Sequence, residues 1–306
     1  MALQPPRQFP TVGFKIIGPG QKIEEERLPF YVVSKLGYGT SATVWLARDL
    51  RDGKYWALKV YIHTLQHNQE LRVYHHLASA PSNIPSELGF ENVRQSQESF
   101  QISGPAGKHT VLVMKPLGMS LKTFQDMQKK GVFPREFVAD LHADNLLIAL
   151  TDDSILAAVE QNEVDTPSAR KRIGDTIIYV SQYMLGGRGA LVISDFGQAR
   201  IGAEQCGSAM PIPYRAPEVI LGMPWGSAVD RWSAGLLAWD LLEEEKLFEI
   251  YDNDSQEHND ARHLAAMTAL LGPPPPEFLE KSTATRKYWD SNGKQSTELS
   301  SSPACF

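Results

Sequence analysis

The sequence predicts an α+β fold in which a β-rich region is followed by a mainly helical one. Three segments between residues 30 and 61 combine β-branched and aromatic residues, and the turn dipeptide Asp52-Gly53 separates the last two. Beyond Met114 the apolar residues recur mostly at helical spacing. The predicted helices there are 119–130, 228–243 and 260–271.

The β-rich region contains one predicted helix and a second hairpin. Residues 65–78 place Leu71, Tyr74 and Leu77 at helical spacing. Two further strand-like segments flank the turn residues of 104–107. In the second region Gly272 and four prolines end the last long helix. These signals fix the order of elements along the chain.

Composition narrows the class of protein. The 306 residues are 42% apolar and 22% charged, which is ordinary for a soluble globular protein. No apolar run approaches the roughly 18 residues of a membrane span, and the N-terminal residues lack the apolar stretch of a secretion signal. The net charge of −6 argues against sequence-independent nucleic-acid binding, so neither nucleic acid nor membrane is expected as a direct partner.

A glycine-containing hairpin joins the first two predicted strands. Gly37 and Gly39 allow the backbone to approach a ligand closely and to turn without steric cost. In the pattern G-x-G-x-x-G-x-V the third glycine is Ala42 and the valine is Val44. Taken alone, two glycines favour a plain turn over a phosphate-binding loop.

A lysine in the middle of the third strand requires a partner. Lys59 lies in the apolar segment "WALKV", where an ammonium needs either an opposite charge or a wet face. Glu70, on the following helix, is the expected ion-pair partner. The alternative is an edge strand from which Lys59 reaches solvent.

Acidic residues form two further motifs. Asp140 and Asn145 are separated by the spacing of a kinase catalytic loop, and an apolar run follows them. Asp195-Phe196-Gly197 follows an apolar strand, where a carboxylate is suited to coordinate Mg²⁺ between phosphates. "YRAPEV" and "VDRWSAG" come next. Each motif is weak alone, but their joint occurrence in this order is not explained by chance.

Together these motifs resemble the eukaryotic protein kinase signature. More narrowly, the chain is similar to the SR-protein kinase family, particularly its fungal branch. The segments that carry this likeness are "KLGYGTSATVWLARD", "YWALKVY", "VMKPLGMSL", "YRAPEVILGMPW", "VDRWSAGLLAWDLLE" and "LLGPPP". The resemblance implies a bilobal protein-kinase-like fold with a small β-rich N-lobe and a mainly helical C-lobe. The implied limits are an extension 1–29, an N-lobe 30–117, a C-lobe 118–290 with an insert 150–190, and a disordered tail 291–306.

The same resemblance implies a role for each matching residue. Asp140 would orient the substrate hydroxyl, and Asn145 and Asp195 would hold Mg²⁺. Met114 would be the gatekeeper residue, ahead of a hinge over residues 115–117. The residues implied to contact ATP are Leu36, Gly37, Gly39, Ala42, Val44, Ala57, Lys59, Glu70, Met114 and Leu117.

The chain departs from the family pattern around the catalytic loop. Asp140 follows Lys115 by only 25 positions, which leaves no room for the buried helix of about five turns that usually precedes this loop. Val138-Ala139 replaces the usual His-Thr, and His142 replaces a lysine. The last C-lobe helices are also expected to be missing. Impaired phosphoryl transfer is therefore predicted.

Three functions follow as hypotheses. The first is an ATP-dependent serine/threonine kinase acting on Arg/Ser-rich proteins, monomeric, cytoplasmic and nuclear. The second is a catalytically dead pseudokinase that acts as a binding module, and the third is a small-molecule phosphotransferase, since Asp-x-His-x-x-Asn occurs there too. An Arg/Ser-rich substrate would dock on the acidic run 243–260, unless this run is only a solvated helix end.

Overall fold

A computed structural model of the chain describes residues 19, 22–25, 28–79, 92–104, 106–127, 143–174, 176–249 and 255–290. The chain divides into two units. The first, called unit 1, contains Met1–Leu121 and Leu147–Ala199. The second, unit 2, contains Lys122–Leu146 and Arg200–Phe306. Residues 147–199 therefore group with the N-terminal strands, whereas the resemblance places the insert in the C-lobe; the lobe limits remain a prediction.

Unit 1 is built on a six-stranded antiparallel sheet of order β1-β2-β3-β4-β6-β5. Its strands are β1 Lys22–Glu25, β2 Leu28–Tyr38, β3 Ala42–Asp49, β4 Tyr55–Tyr61, β5 Ser96–Gly104 and β6 Gly107–Met114. Helix α1, Gln69–Ala78, lies between β4 and β5 in the chain. The predicted order of strands and helix is present.

Alternation along the strands buries both faces of this sheet. Val111 and Val113 pack into one cluster with Trp45, while Leu112 and Met114 pack into another with Tyr74 of α1. Successive strand residues point to opposite faces, so a strand buried on both sides needs a continuous apolar run. The segment "VLVM" meets that requirement.

The sheet begins earlier in the chain than predicted. The sequence indicated strand structure only from Phe30, but β2 starts at Leu28 and pairs antiparallel with β1. The β1 sequence is "KIEE", and it lies at the edge of the sheet. Charged residues on an edge strand are common because they discourage aggregation, and they hide the apolar alternation by which a strand is recognised.

The insert is an ordered part of unit 1. Along the chain, the short helix α2, Leu121–Asp126, is followed by helix α3 of the insert, Ser154–Asp165, and by a hairpin in which Arg170–Ile173 pairs with Thr176–Tyr179. Leu156 and Met184 pack against Val33 and Leu46 of the sheet. In addition, the Tyr55 hydroxyl donates to Glu160 of α3. These contacts explain why a segment of polar appearance groups with the strands.

Unit 2 is helical and has its own core. Among its described residues, the long helices are Ala228–Leu242 and Gln256–Leu271, and the short ones are Leu121–Asp126, Pro217–Ile220 and Pro276–Leu279. Leu221, Leu236, Leu264 and Trp289 share one buried cluster.

The prediction of a helix over 119–130 is wrong at its start, because Leu117–Ser120 is a strand that pairs with Leu146–Ala149.

Other helix predictions agree more closely. The predicted helices 228–243 and 260–271 correspond to Ala228–Leu242 and Gln256–Leu271, and the second ends at Gly272, whose φ of 87° suits glycine. The missing helix ahead of the catalytic loop concerns residues 128–142, which lie outside the described residues. Within the described part, no helix is long and apolar enough to cross a membrane.

A buried histidine in unit 2 predicts acid sensitivity. His263 packs against Phe248, and burial together with the charge of Arg215 lowers its pKa to about 4. In the unfolded chain its pKa is about 6.5, so the unfolded state binds the extra proton between these values and stability falls as pH falls. Acidification from pH 7.5 to pH 5 should therefore lower the free energy of unfolding by about 2 kcal/mol through this one residue.

Thermal melts across this pH range test the effect. His263→Leu should show a smaller drop in Tm on acidification than the wild type, whatever its Tm at pH 7.5. The exposed His76→Leu serves as the matched control and should keep the wild-type slope. An equal slope in both variants would assign the acid sensitivity to other groups.

Candidate active site

Three charged side chains of unit 1 meet beside the sheet. Lys59 of β4 places its Nζ 2.6 Å from Glu70 Oε2 and 3.1 Å from Asp195 Oδ1. The Glu70 side chain is only 3% exposed, whereas that of Asp195 is 57% exposed. The predicted Lys59–Glu70 ion pair is therefore present, and the alternative of a lysine reaching solvent from an edge strand does not apply. A buried carboxylate holds the ammonium next to a solvent-facing one.

Tyr61 fixes the buried end of this cluster. Its hydroxyl donates to Glu70 Oε2, the oxygen that also accepts from Lys59. Burial, and next the charge of Glu70, raise the pKa of Tyr61, so the phenol stays protonated and remains a donor. Tyr61 is not among the site residues expected from the sequence. The signal was available, because residues two apart on a strand share a face.

The segment after Asp195 is attached to helix α1. Asp195 has φ 64° and ψ 71°, a left-handed conformation that costs energy for a residue with a side chain. Phe196 packs edge-on against Tyr74, with ring centroids 5.5 Å apart. Gln69 donates from Nε2 to the Ala199 carbonyl at 2.9 Å. These contacts hold the backbone in its strained conformation and so keep the Asp195 carboxylate beside Lys59.

Arg94 links this segment to the residue after β6. Its backbone N–H donates to the Ile193 carbonyl at 2.8 Å, and its guanidinium donates to the Lys115 carbonyl at 3.0 Å. Arg94 therefore connects the residues that precede Asp195 with the first residue of the predicted hinge. The sequence does not indicate this connection, since the three residues are far apart in the chain.

The glycine-containing loop lies across the strands from Lys59. Gly37 pairs with Val44, and Val44 pairs in turn with Lys59. The Gly39 N–H donates to the Ala42 carbonyl at 2.9 Å and closes the turn. A Cβ added at Gly37 or Gly39 would meet no atom within 4 Å. The loop thus faces open space in which a ligand has room to approach the backbone.

The remaining predicted nucleotide contacts lie along the same strands. Ala57 pairs with Met114, and both are buried. Leu117 is buried at the start of its strand. Leu36 packs on the buried cluster that contains Val33 and Leu46. The register therefore aligns the predicted gatekeeper with the strand that carries Lys59. Their contact with ATP stays a prediction.

The predicted catalytic loop is described only in part. Asp140 lies outside the described residues. Asn145 is half-buried directly before the strand Leu146–Ala149, and it belongs to unit 2. In the described part, no group of three or more His, Cys, Asp or Glu side chains is arranged to hold a metal ion. Asp195 supplies the exposed carboxylate of the cluster.

This donor set fits a nucleotide with a divalent cation. Phosphate oxygens bind an ammonium, and hard cations bind carboxylate oxygen, so a lysine and an aspartate 3.1 Å apart match the two charges of a metal–phosphate group. The open space at Gly37 and Gly39 fits phosphates next to backbone N–H groups.

Comparisons with known proteins agree with this chemistry. A family profile described as a protein kinase domain matches residues 180–301. A serine/threonine protein kinase of Aspergillus fumigatus is 41% identical over 96% of this chain and 82% of the relative. The serine/threonine-protein kinase SRPK of Physarum polycephalum is 25% identical over 87% of this chain and 72% of its own length.

A solved structure agrees as well. A crystal structure of a kinase domain covers 90% of this chain and 80% of its own, with a TM-score of 0.63 and 22% identity. At that identity the likeness shows the fold, which is the α+β fold of protein kinases with a β-rich N-lobe and a helical C-lobe. The match to the Aspergillus fumigatus enzyme covers nearly the whole chain. The chain therefore belongs to the protein kinase family, among the serine/threonine protein kinases.

Proposed function

We propose that this kinase transfers the γ-phosphate of Mg-ATP to serine and threonine hydroxyls of Arg/Ser-rich proteins, in the cytoplasm and the nucleus. The observation that carries the proposal is the cluster of Lys59, Glu70 and Asp195. Protein kinases use ATP and a divalent metal in general.

The side chains divide the work by charge. Lys59, held by Glu70, binds the phosphates, and Asp195 and Asn145 are the residues that the kinase motifs assign to the cation. Bound Mg-ATP supplies the phosphoryl group and the cation charge that offsets negative charge during transfer. Asp140 orients the substrate hydroxyl. Positioning and electrostatics carry most of the rate in such reactions, so the rigid attachment of Asp195 to α1 supports this assignment.

An acidic surface supports the choice of substrate. Four exposed glutamates follow the helix Ala228–Leu242 in unit 2: Glu243, Glu244, Glu245 and Glu249. Arginine pairs well with carboxylates, and a single-sign surface also steers an oppositely charged chain toward it. The Physarum polycephalum relative bears the name SRPK, which agrees with this substrate class.

The structure narrows the predicted acidic run 243–260. Asp260 is 3.0 Å from Arg215 inside unit 2, so it is not part of an exposed docking surface. The one basic residue of the run, Lys246, pairs with the buried Asp240. Residues 250–254 lie outside the described residues. We therefore restrict the docking proposal to the four exposed glutamates.

Phosphate transfer to peptides tests the substrate class. With radiolabelled ATP, an Arg/Ser-repeat peptide should be phosphorylated, and an Ala/Ser-repeat peptide of equal length should be phosphorylated at least tenfold less. The efficiency on the Arg/Ser peptide should fall steeply with salt, because screening shortens the range of the attraction. Transfer to an aminoglycoside but to neither peptide would refute the proposal in favour of a small-molecule phosphotransferase.

Matched charge variants test the docking surface. Glu243→Gln with Glu245→Gln should raise the KM for the Arg/Ser peptide several-fold and leave the KM for ATP unchanged. The control is Glu277→Gln with Glu280→Gln, which removes the same charge from two other exposed positions of unit 2. Equal effects of the two double variants would mean that only net charge matters and that no docking surface exists there.

A further inference from the structure

The insert contacts the base of the glycine-containing loop on both of its strands. The Tyr179 ring packs edge-on against Trp45 of β3, with centroids 5.9 Å apart. The Gln182 N–H donates to the Lys35 carbonyl of β2 at 2.7 Å. Lys35 and Trp45 are themselves cross-strand partners. Residues 179–182 therefore hold both strands at the point where they lead into the loop.

Lys35 connects this part of the insert with the loop itself. Its side chain reaches the Tyr179 carbonyl, with Nζ 3.2 Å from the oxygen. The same Nζ lies 4.3 Å from the centroid of the Tyr38 ring. Tyr38 stands between Gly37 and Gly39 and is 60% exposed. One ammonium thus joins a fixed carbonyl of the insert to the aromatic side chain of the loop.

The surroundings of Lys35 make this link strong. The residue is 8% exposed, and burial lowers the pKa of its ammonium. Within the described residues no carboxylate forms an ion pair with it. A buried cation depends on every dipole it can reach, and an aromatic face attracts it more strongly when water is excluded. The Lys35 ammonium therefore restrains the Tyr38 ring, even though this ring is exposed.

An irregularity in strand β2 lies between Lys35 and the glycine-containing loop. The register between β2 and β3 shifts between Lys35 and Gly37. Such an irregularity bends a strand and re-aims the residues beyond it. The contacts of Lys35 lie on either side of that shift, one toward the insert and one toward Tyr38, so they fix the direction in which the loop leaves the sheet.

We propose that Lys35 is a positioning residue for the glycine-containing loop, and that through it the insert holds the loop in the place where it covers the ATP phosphates. The role in nucleotide binding rests on the proposed function, whereas the restraint on the loop does not. Lys35 is not among the residues expected to contact ATP. It acts by setting the position of Gly37 to Ala42.

Three variants separate this role from simple packing. Lys35→Met removes the charge but keeps the length of the buried stem, and Lys35→Arg keeps the cation. Tyr38→Leu removes the ring at an exposed position, so it tests the same link without disturbing the core. Lys171→Met, at an exposed site of the insert hairpin, controls for the loss of one positive charge.

Hydrogen exchange without nucleotide reads out the restraint directly. Amides of residues 36–44 should exchange about three- to tenfold faster in Lys35→Met and in Tyr38→Leu, and at the wild-type rate in Lys171→Met. The double variant Lys35→Met with Tyr38→Leu should exchange no faster than either single variant, because both break one link. Wild-type exchange in Tyr38→Leu, or additive effects in the double variant, would overturn the proposal.

Titration with a fluorescent ATP analogue reads out the consequence. Lys35→Met should raise its Kd and the KM for ATP by a similar three- to tenfold factor, with kcat changed less than twofold and with recovery in Lys35→Arg. A lowered Tm with unchanged Kd would show a merely structural role and overturn the proposal. A wild-type chain that binds no analogue would refute the proposed function, while the exchange measurement would still decide the role of Lys35.

Discussion

Replacement of Lys59 by Met is expected to lower phosphoryl transfer by about a hundred- to a thousandfold, the usual cost of losing one preorganised charge at a developing anion. It should also lower stability. Glu70 is buried and would lose the ammonium at 2.6 Å, and an uncompensated buried charge typically costs about 3–5 kcal/mol. Asp195 differs, because its exposed carboxylate stays hydrated without its partner.

Asp195→Asn should therefore remove activity and leave the Tm without nucleotide nearly unchanged. The double variant Lys59→Met with Glu70→Met should regain part of the lost stability and none of the activity, since no unpaired carboxylate remains in the interior, although the Tyr61 hydroxyl loses its acceptor. Thermal melts with and without Mg-ATP measure both effects, because a ligand at a hundred times its Kd adds about 2.7 kcal/mol. Unchanged stabilisation by Mg-ATP in both Lys59→Met and Asp195→Asn would show that the cluster does not bind nucleotide.

The part of this site that could be predicted follows from local chemistry. A lysine within an apolar strand needs a carboxylate, and the next helix offers Glu70 in its first turn. Strand alternation would also have indicated Tyr61. Arg94 could not be predicted, because its partners are the carbonyls of Lys115 and Ile193. Any residue can supply a backbone carbonyl, so the sequence carries no trace of such a contact.

The same distinction applies to the fold. Strands with apolar residues on both faces, such as "VLVM" in β6, were recognised because their burial requires that composition. Strand β1 was missed because its sequence contains a single apolar residue, and helix α3 was missed because Leu156 is its one buried residue. Such elements are held largely by pairing and by polar contacts, among them Arg48 with Glu160 at 3.2 Å. Residue type alone does not reveal these partners.

A buried ion pair in unit 2 provides the second large expected effect. Arg215 directly precedes the Ala216-Pro217-Glu218 motif, and its guanidinium lies 3.0 Å from Asp260 of the helix Gln256–Leu271. The two side chains are 10% and 13% exposed. The pair therefore attaches the motif to that helix in a place with little water.

Asp260→Ala should destabilise unit 2 by about 3–5 kcal/mol, because it leaves the Arg215 guanidinium buried without its counter-charge. Arg215→Met should destabilise unit 2 by a similar amount, because it leaves the Asp260 carboxylate buried without its counter-charge. Combining Arg215→Met with Asp260→Leu removes both charges and fills the space with apolar atoms, so the double variant should regain most of the loss. Thermal melts of the wild type, Arg215→Met, Asp260→Leu and this double variant give the coupling free energy between the two positions.

An exposed pair in the same unit is the matched control. Lys122 and Asp126 stand one helical turn apart with both side chains substantially exposed, and such pairs contribute about 0.3–0.5 kcal/mol. Asp126→Ala should accordingly leave the Tm nearly unchanged. If Asp260→Ala weakens binding of the Arg/Ser peptide without lowering the Tm, then Asp260 belongs to the docking surface after all. In that case its contact with Arg215 does not stabilise the protein, and the wider acidic run expected from the sequence is the better description.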